Sequence, residues 1–208
     1  MARIEVTVAG VGEGLLMCSP AAMLIPKEPG KPGPKAKDLS TAAAAELLAY
    51  RLPNGNLGFP AVAFQRATME AGRGQSVKVG GKGRAVSVQT VLAGVWEVEP
   101  KDLIPLMCGK KAIKDYKIDI RTGLNRNTRP AARIVLARPL IEVPWEASFD
   151  IIWDDQAGPT DTPALIRYCM ERAGRQVGVG GFRPLVQGVA TGGWFGKFEI
   201  VKWEEMAA

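Results

Sequence analysis

Asp150, Asp154, Asp155 and Asp161 lie close together in the chain, and carboxylates so grouped suit a hard divalent cation or a general acid/base pair. A metal-dependent nuclease would use them in this way. The same residues also read as a charged strand end, a turn and a helix N-cap. The chain contains no histidine, which removes the commonest general base, every Ser-His or Cys-His nucleophile pair and every histidine-bearing metal site. Cys18, Cys108 and Cys169 are far apart and odd in number, so they form neither a CxxC pair nor a disulfide framework. Free thiols in a reducing, cytoplasmic setting are expected.

Two glycine motifs fall short of nucleotide-binding signatures. Gly10-Val-Gly-Glu-Gly14 places Leu15 where the dinucleotide fingerprint requires its third glycine. Around Gly196-Lys197, Thr191 replaces the first glycine of a phosphate loop, and Phe198 replaces the hydroxyl that would reach magnesium. No cofactor and no resident metal are expected. Two further clusters, Val177–Pro184 and Gly192–Glu199, combine glycines with Arg183 and Lys197. Glycines let backbone amides approach a ligand, and these two cations suit a phosphate. The alternative is a glycine hairpin tucked against a sheet, with Phe182, Trp194 and Phe195 as core aromatics.

The net charge of +6 is concentrated in two places. Between Gly109 and Arg133, Lys110, Lys111, Lys114, Lys117, Arg121, Arg126, Arg129 and Arg133 outweigh Asp115 and Asp119, a local +6. Between Ala71 and Arg84, Arg73, Lys78, Lys82 and Arg84 meet no acid, a local +4 that leaves the remaining chain at about −4. Basic arms on a neutral to acidic body are the footprint of a protein that contacts a polyanionic backbone. Tyr116, among the lysines, either stacks on a base or anchors its loop by packing. Lys78, Lys82, Arg84, the eight basic residues from Lys110 to Arg133, Tyr116, Arg183 and Lys197 together form the candidate nucleic-acid-binding set.

The elements that position these residues follow from periodicity. Arg3–Ala9 alternates with Ile4, Val6 and Val8 inward, a half-buried strand. Pro26–Lys37, with four prolines and two glycines, predicts an exposed loop. A hydroxyl cap precedes a short alanine-rich helix ending near Arg51, and Asn54-Gly55 marks a turn. Pro60 opens a helix that Gly72 stops. From 74 to 130 the pattern loosens into short strands, at Ala85–Leu92, Val95–Val98 and Lys117–Arg121, and reads as a β-rich insertion. Arg133–Arg138 and Trp145–Trp153 are the next strands, Thr162-Pro163 opens a helix running to Gly174, and Phe195–Trp203 is the last strand. Without the insertion the order is βαββαβ, so the expectation is an α+β, ferredoxin-like single domain over 1–208 with the insertion between the first helix and second strand. The longest apolar stretch, Leu15–Ile25, contains Ser19 and Pro20, so no membrane span is expected.

The sequence resembles the RAMP superfamily, in particular the backbone-subunit family of CRISPR effectors and its compact phage and prophage relatives. The resemblance spans most of the chain. It is carried by Gly14-Leu-Leu-Met17, by Phe59-Pro-Ala-Val-Ala-Phe64 leading into Met69-Glu-Ala-Gly-Arg73, and by the two C-terminal glycine clusters. It implies a ferredoxin-like palm, a β-rich thumb, lateral self-association as a homo-oligomer, and single-stranded DNA or RNA laid along the polymer. Some relatives cleave RNA with a histidine, and that activity is not carried over to a chain without one. The expected function is non-enzymatic single-strand binding with little sequence preference. The alternative is a phage protein-interaction module that imitates or inhibits a host nucleic-acid machine.

Overall fold

Alternation along the first strand sets the architecture. In β1 (Ala2–Gly10), Ile4, Val6 and Val8 are fully buried, while Arg3, Glu5 and Thr7 point away from the core. β1 lies between β11 (Glu146–Trp153) and β14 (Phe198–Met206), antiparallel to both. The far edge of β11 is shared by two strands. β6 (Trp96–Glu99) runs beside Asp150–Trp153, and β7 (Leu103–Cys108) runs beside Glu146 and Ala147. β3 (Gly58–Pro60) and β8 (Lys111–Ala112) add to β7, completing a seven-stranded sheet of order β14-β1-β11-β7-β3. The computed structural model describes residues 1–18, 40–78, 85–125, 132–155 and 161–206. The expected loop Pro26–Lys37 lies outside them.

The two longest helices pack against one side of this sheet, while the first, shorter one lies on a second sheet. α1 (Thr41–Glu46) starts at Ser40, whose Oγ accepts from the Ala43 amide at 3.2 Å, as the hydroxyl cap predicts. α2 (Ala61–Ala71) buries Ala61, Phe64, Ala67, Thr68 and Ala71, a single stripe at helical spacing. Phe64 stacks on Phe149 of β11 with ring centroids 5.1 Å apart, and meets Phe198 of β14 edge-on at 5.3 Å. The Thr68 hydroxyl donates to the Phe64 carbonyl at 2.8 Å, which lets a polar residue sit in the core. α4 (Thr162–Arg172) packs beside α2 through Ile166, Cys169 and Met170. The fold is α+β, and every strand pairing among the described residues is antiparallel.

Several elements differ from expectation. The strand predicted at Ala85–Leu92 is β5 (Ala85–Ser87), paired with β4 (Ser76–Lys78), followed by α3 (Val88–Leu92). Val88 and Leu92, one helical turn apart, are both buried, and Val88 rests against Gly72. The strand predicted at Arg133–Arg138 belongs to β10 (Ala132–Ile141), which pairs with β9 (Lys117–Asn125) and β2 (Leu15–Leu16) in a separate three-stranded sheet. β6 and β7 fill the place expected for it beside β11, so residues 96–108 of the presumed insertion belong to the main sheet. Their buried Trp96, Val98, Ile104 and Leu106 account for this, because each inward row completes the core under the helices. α4 ends at Arg172 and widens into a π turn over Ala173–Val177, where Gly174 sits directly against the Phe198 carbonyl. β14 begins at Phe198 rather than Phe195, since Phe195–Lys197 belong to the glycine loop.

Phe64→Ala should cost about 3–5 kcal/mol in urea unfolding, because three rings lose a packing partner at once. Val189→Ala, at a side chain 66% exposed, should change stability by about 0.5 kcal/mol or less.

Candidate nucleic-acid interface

A two-residue turn presents the first cations. Cys108 pairs with Lys111 across the β7–β8 hairpin, and Gly109 at φ +58° supplies the left-handed conformation the turn needs. Lys110, Lys111 and Lys114 are exposed and form no ion pair among the described residues. Their segment is held at its base by Arg51. This guanidinium grips both oxygens of Glu46 at 2.7 and 3.0 Å and donates to the carbonyls of Gly55 and Lys114 at 2.9 and 2.7 Å. It also lies 5.6 Å from the centre of the Tyr116 ring, whose hydroxyl donates to Glu46 at 2.7 Å. Tyr116 is thus a packing anchor here rather than an open stacking platform. Burial and the Glu46 bond push its hydroxyl up to about 12. Arg51, for its part, holds the Glu46 carboxyl below its ordinary range. Neither Arg51 nor Glu46 stands out in the sequence, because, apart from each other, their partners are Gly55 in the Asn54 turn and residues more than sixty positions away.

The second group of cations lies on the β9–β10 hairpin. Lys117 pairs with Glu142 at 2.7 Å, and Arg121 pairs with Asp119 at 2.6 Å. Arg121 also lies over the rings of Phe195 and Phe182 at 4.5 and 5.9 Å, and Arg138 covers Phe182 at 5.0 Å. The hairpin is thereby clamped onto the C-terminal glycine loop, and Arg138 is a member of this clamp that the charge count overlooks. Arg133 is placed by its position in β10, opposite Leu124. Lys82, Arg84, Arg126 and Arg129 lie outside the described residues. Lys78 is exposed at the end of β4, and Lys197 is half-buried.

The glycine clusters pack on each other and on the segment from Gly14 to Leu16. The amides of Gly178, Val179, Gly181 and Gly196 are bonded to the carbonyls of Ala173, Gly196, Leu16 and Gly14 at 2.7–2.9 Å. A side chain at Gly196 would strike the Val179 carbonyl, and one at Gly193 the Phe182 carbonyl. Gly193 and Gly196 therefore serve backbone-to-backbone packing, which is the tucked-hairpin alternative, and the four bonded amides are spent on carbonyls of the protein itself. Arg183 donates to the Gly178 carbonyl at 3.5 Å within the same loop.

The open face of the main sheet has the opposite sign. Glu204, Glu5, Asp150 and Glu99 are register partners across four neighbouring strands, so four carboxylates form one row. Like charges opposite one another repel. Arg3 relieves them by its bond to Asp150, and Lys202 by reaching Glu5 at 2.9 Å and Glu204 at 3.2 Å. A groove of about 480 Å³ over this row is lined by Arg3, Glu5, Glu99 and Asp150, a set with more acid than base. Asp150 thus belongs to the row, Asp155 lies 3.8 Å from the N-terminal amine, and Asp161 precedes α4 without a side-chain capping bond. Among the described residues no three His, Cys, Asp or Glu side chains are grouped to hold a metal ion. All three cysteines are free, and burial pushes the Cys169 thiol up to about 11. Among the described residues no helix is long and apolar enough to cross a membrane. No protein-family model matches the chain, and no curated protein is significantly similar to it.

Two outcomes test this geometry. Gly196→Ala should destabilise the protein by about 3 kcal/mol or more, whereas Gly192→Ala, at φ +71° with open space around it, should cost about 1–2 kcal/mol; denaturant unfolding separates them. The Glu46 anchor has a lowered carboxyl pKa, so its contribution is complete above the unfolded value near 4.3 and disappears as pH falls through the lower folded value. Amide exchange at Ile113–Lys117 should stay slow from about pH 5 upward once corrected for intrinsic rates, and become faster in Arg51→Ala throughout that range.

Proposed function

We propose that the protein binds single-stranded nucleic acid without catalysis and with little sequence preference, contacting the phosphate chain through the β7–β8 turn and the β9–β10 hairpin. The observation that carries this reading is the separation of charge. The open sheet face presents a row of carboxylates, while Lys110, Lys111 and Lys114 stand exposed, with no ion pair among the described residues, on the β7–β8 turn and the segment after it that Arg51 braces. A phosphate backbone is repelled by the first surface and attracted by the second. RNA-recognition modules stack bases on aromatic residues of the open sheet face. Here the β11 aromatics Phe149 and Trp153 are buried, so contact by charge is the mode favoured.

The fold supports the same reading. β1 and β6–β7 are joined through α2 with β11 between them, and β11 and β14 are joined through α4 with β1 between them. This connectivity supports reading the main sheet as the ferredoxin-like palm that the RAMP resemblance implies. In that setting the β9–β10 hairpin acts as the thumb, and copies assemble along the strand. A second reading, a protein-interaction module, draws on Ile118, Ile120 and Val135, which are 39%, 58% and 66% exposed on one face of the same hairpin.

A fluorescent 40-nucleotide strand, tested as DNA and as RNA across a salt series, distinguishes the two. Nucleic-acid binding predicts tight association at low salt and a log–log salt slope of about −0.7 per phosphate neutralised. Changing Lys110, Lys111, Lys114 and Lys117 to alanine should flatten that slope by roughly 2–3. Absence of binding at low salt refutes the proposal and favours the protein-interaction reading.

A further inference from the structure

The acidic row stops at a free strand edge. β14 is the outermost strand of the sheet, runs for nine residues without proline, and has no strand on its outer side among the described residues. Val201 and Met206 on it are 53% and 50% exposed. On the opposite side the described sheet ends in shorter strands, the three-residue β3 closing in Pro60, the two-residue β8 and the four-residue β6. A long unpaired edge is a template for another strand, and native proteins usually blunt it with charges or bulges. β14 has both a bulge near Val201 and Lys202, so its charge pattern decides what it accepts.

From Lys202 to Met206, Lys202, Glu204 and Met206 share the open face with Thr7, Glu5 and Arg3, while Trp203 shares the inner face with Val6. A second copy related by a two-fold axis perpendicular to the sheet lays its β14 antiparallel to the first and keeps the faces matched. Three central registers are then open. Centring on Lys202 opposes two lysines, and centring on Glu204 opposes two glutamates. Centring on Trp203 places Lys202 of each copy opposite Glu204 of the other and the two Trp203 rings side by side at the axis. Glu204, which Lys202 of its own chain reaches at 3.2 Å, thereby gains a second cation from across the seam, and each Lys202 a further carboxylate.

From this, the geometry points to a two-fold homodimer formed by β14 against β14 in the Trp203-centred register, continuing the main sheet across two copies. This pairing does not depend on nucleic acid. It is closed and symmetric, so a single β14 contact makes a dimer and not a chain of copies.

Sedimentation velocity on the full chain, without nucleic acid and over a wide concentration range, tests it. The wild-type protein should dimerise reversibly. Lys202→Glu alone places glutamate against glutamate at both seam positions, and Glu204→Lys alone places lysine against lysine. Each should weaken self-association roughly tenfold or more. An equimolar mixture of the two variants restores opposite charges at both positions and should dimerise about as well as wild type. Loss of folding in either variant cannot imitate that rescue. A wild-type chain that stays monomeric at every concentration overturns the proposal, as does a mixture that associates no better than its components.

Discussion

Period-two alternation along β1 and β11 is the constraint on which the rest of the molecule depends. Ile4, Val6 and Val8, with Ala147, Phe149, Ile151 and Trp153, must all turn toward the helices. Glu5 and Asp150 are then forced onto the opposite face, where strand register aligns them with Glu204 and Glu99. A one-residue slip would expose the apolar row and bury the carboxylates. The core and the acidic face are thus two outcomes of one register, held by Phe64 on Phe149 on one side and by the Arg3–Asp150 and Lys202–Glu5 pairs on the other.

With that face acidic and its own cations, Arg3 and Lys202, taken up by its carboxylates, the remaining cations are left to segments outside the four central strands. The β7–β8 turn and the β9–β10 hairpin carry them, and each is fixed by an arginine held through both charge and ring contact. Arg51 joins α1, the Asn54 turn and the Tyr116 segment, while Arg121 joins the hairpin to Phe195 and Phe182. Such clamps orient a basic arm without using its lysines, which leaves Lys110, Lys111 and Lys114 available to a phosphate chain.

Local signals predicted local elements well. The alternation of β1 and β11, the Ser40 cap, Pro60 before α2 with Gly72 after it, and Pro163 at the start of α4 all appear where periodicity and capping placed them. Partnership between distant strands was beyond those signals. β10 alternates like a sheet strand, and nothing in its residues says that its neighbours are β9 and β2 instead of β11. Charge counting had the same weakness, since it weighs Lys117 and Arg121 equally with Lys110 although Glu142 and Asp119 already face them. The glycine clusters were equally ambiguous, because glycine is required both where backbone meets ligand and where backbone meets backbone. The Gly196–Val179 and Gly193–Phe182 approaches decide for the latter.

Photo-cross-linking of the protein to a single strand, followed by mass spectrometry of the attached peptides, tests the separation of charge most directly. Attachment within residues 109–133, with none on the peptides of β1, β11 and β14, is the predicted result. Attachment at Arg3–Thr7, Ser148–Ile152 or Lys202–Met206 would place the strand on the carboxylate face and contradict it.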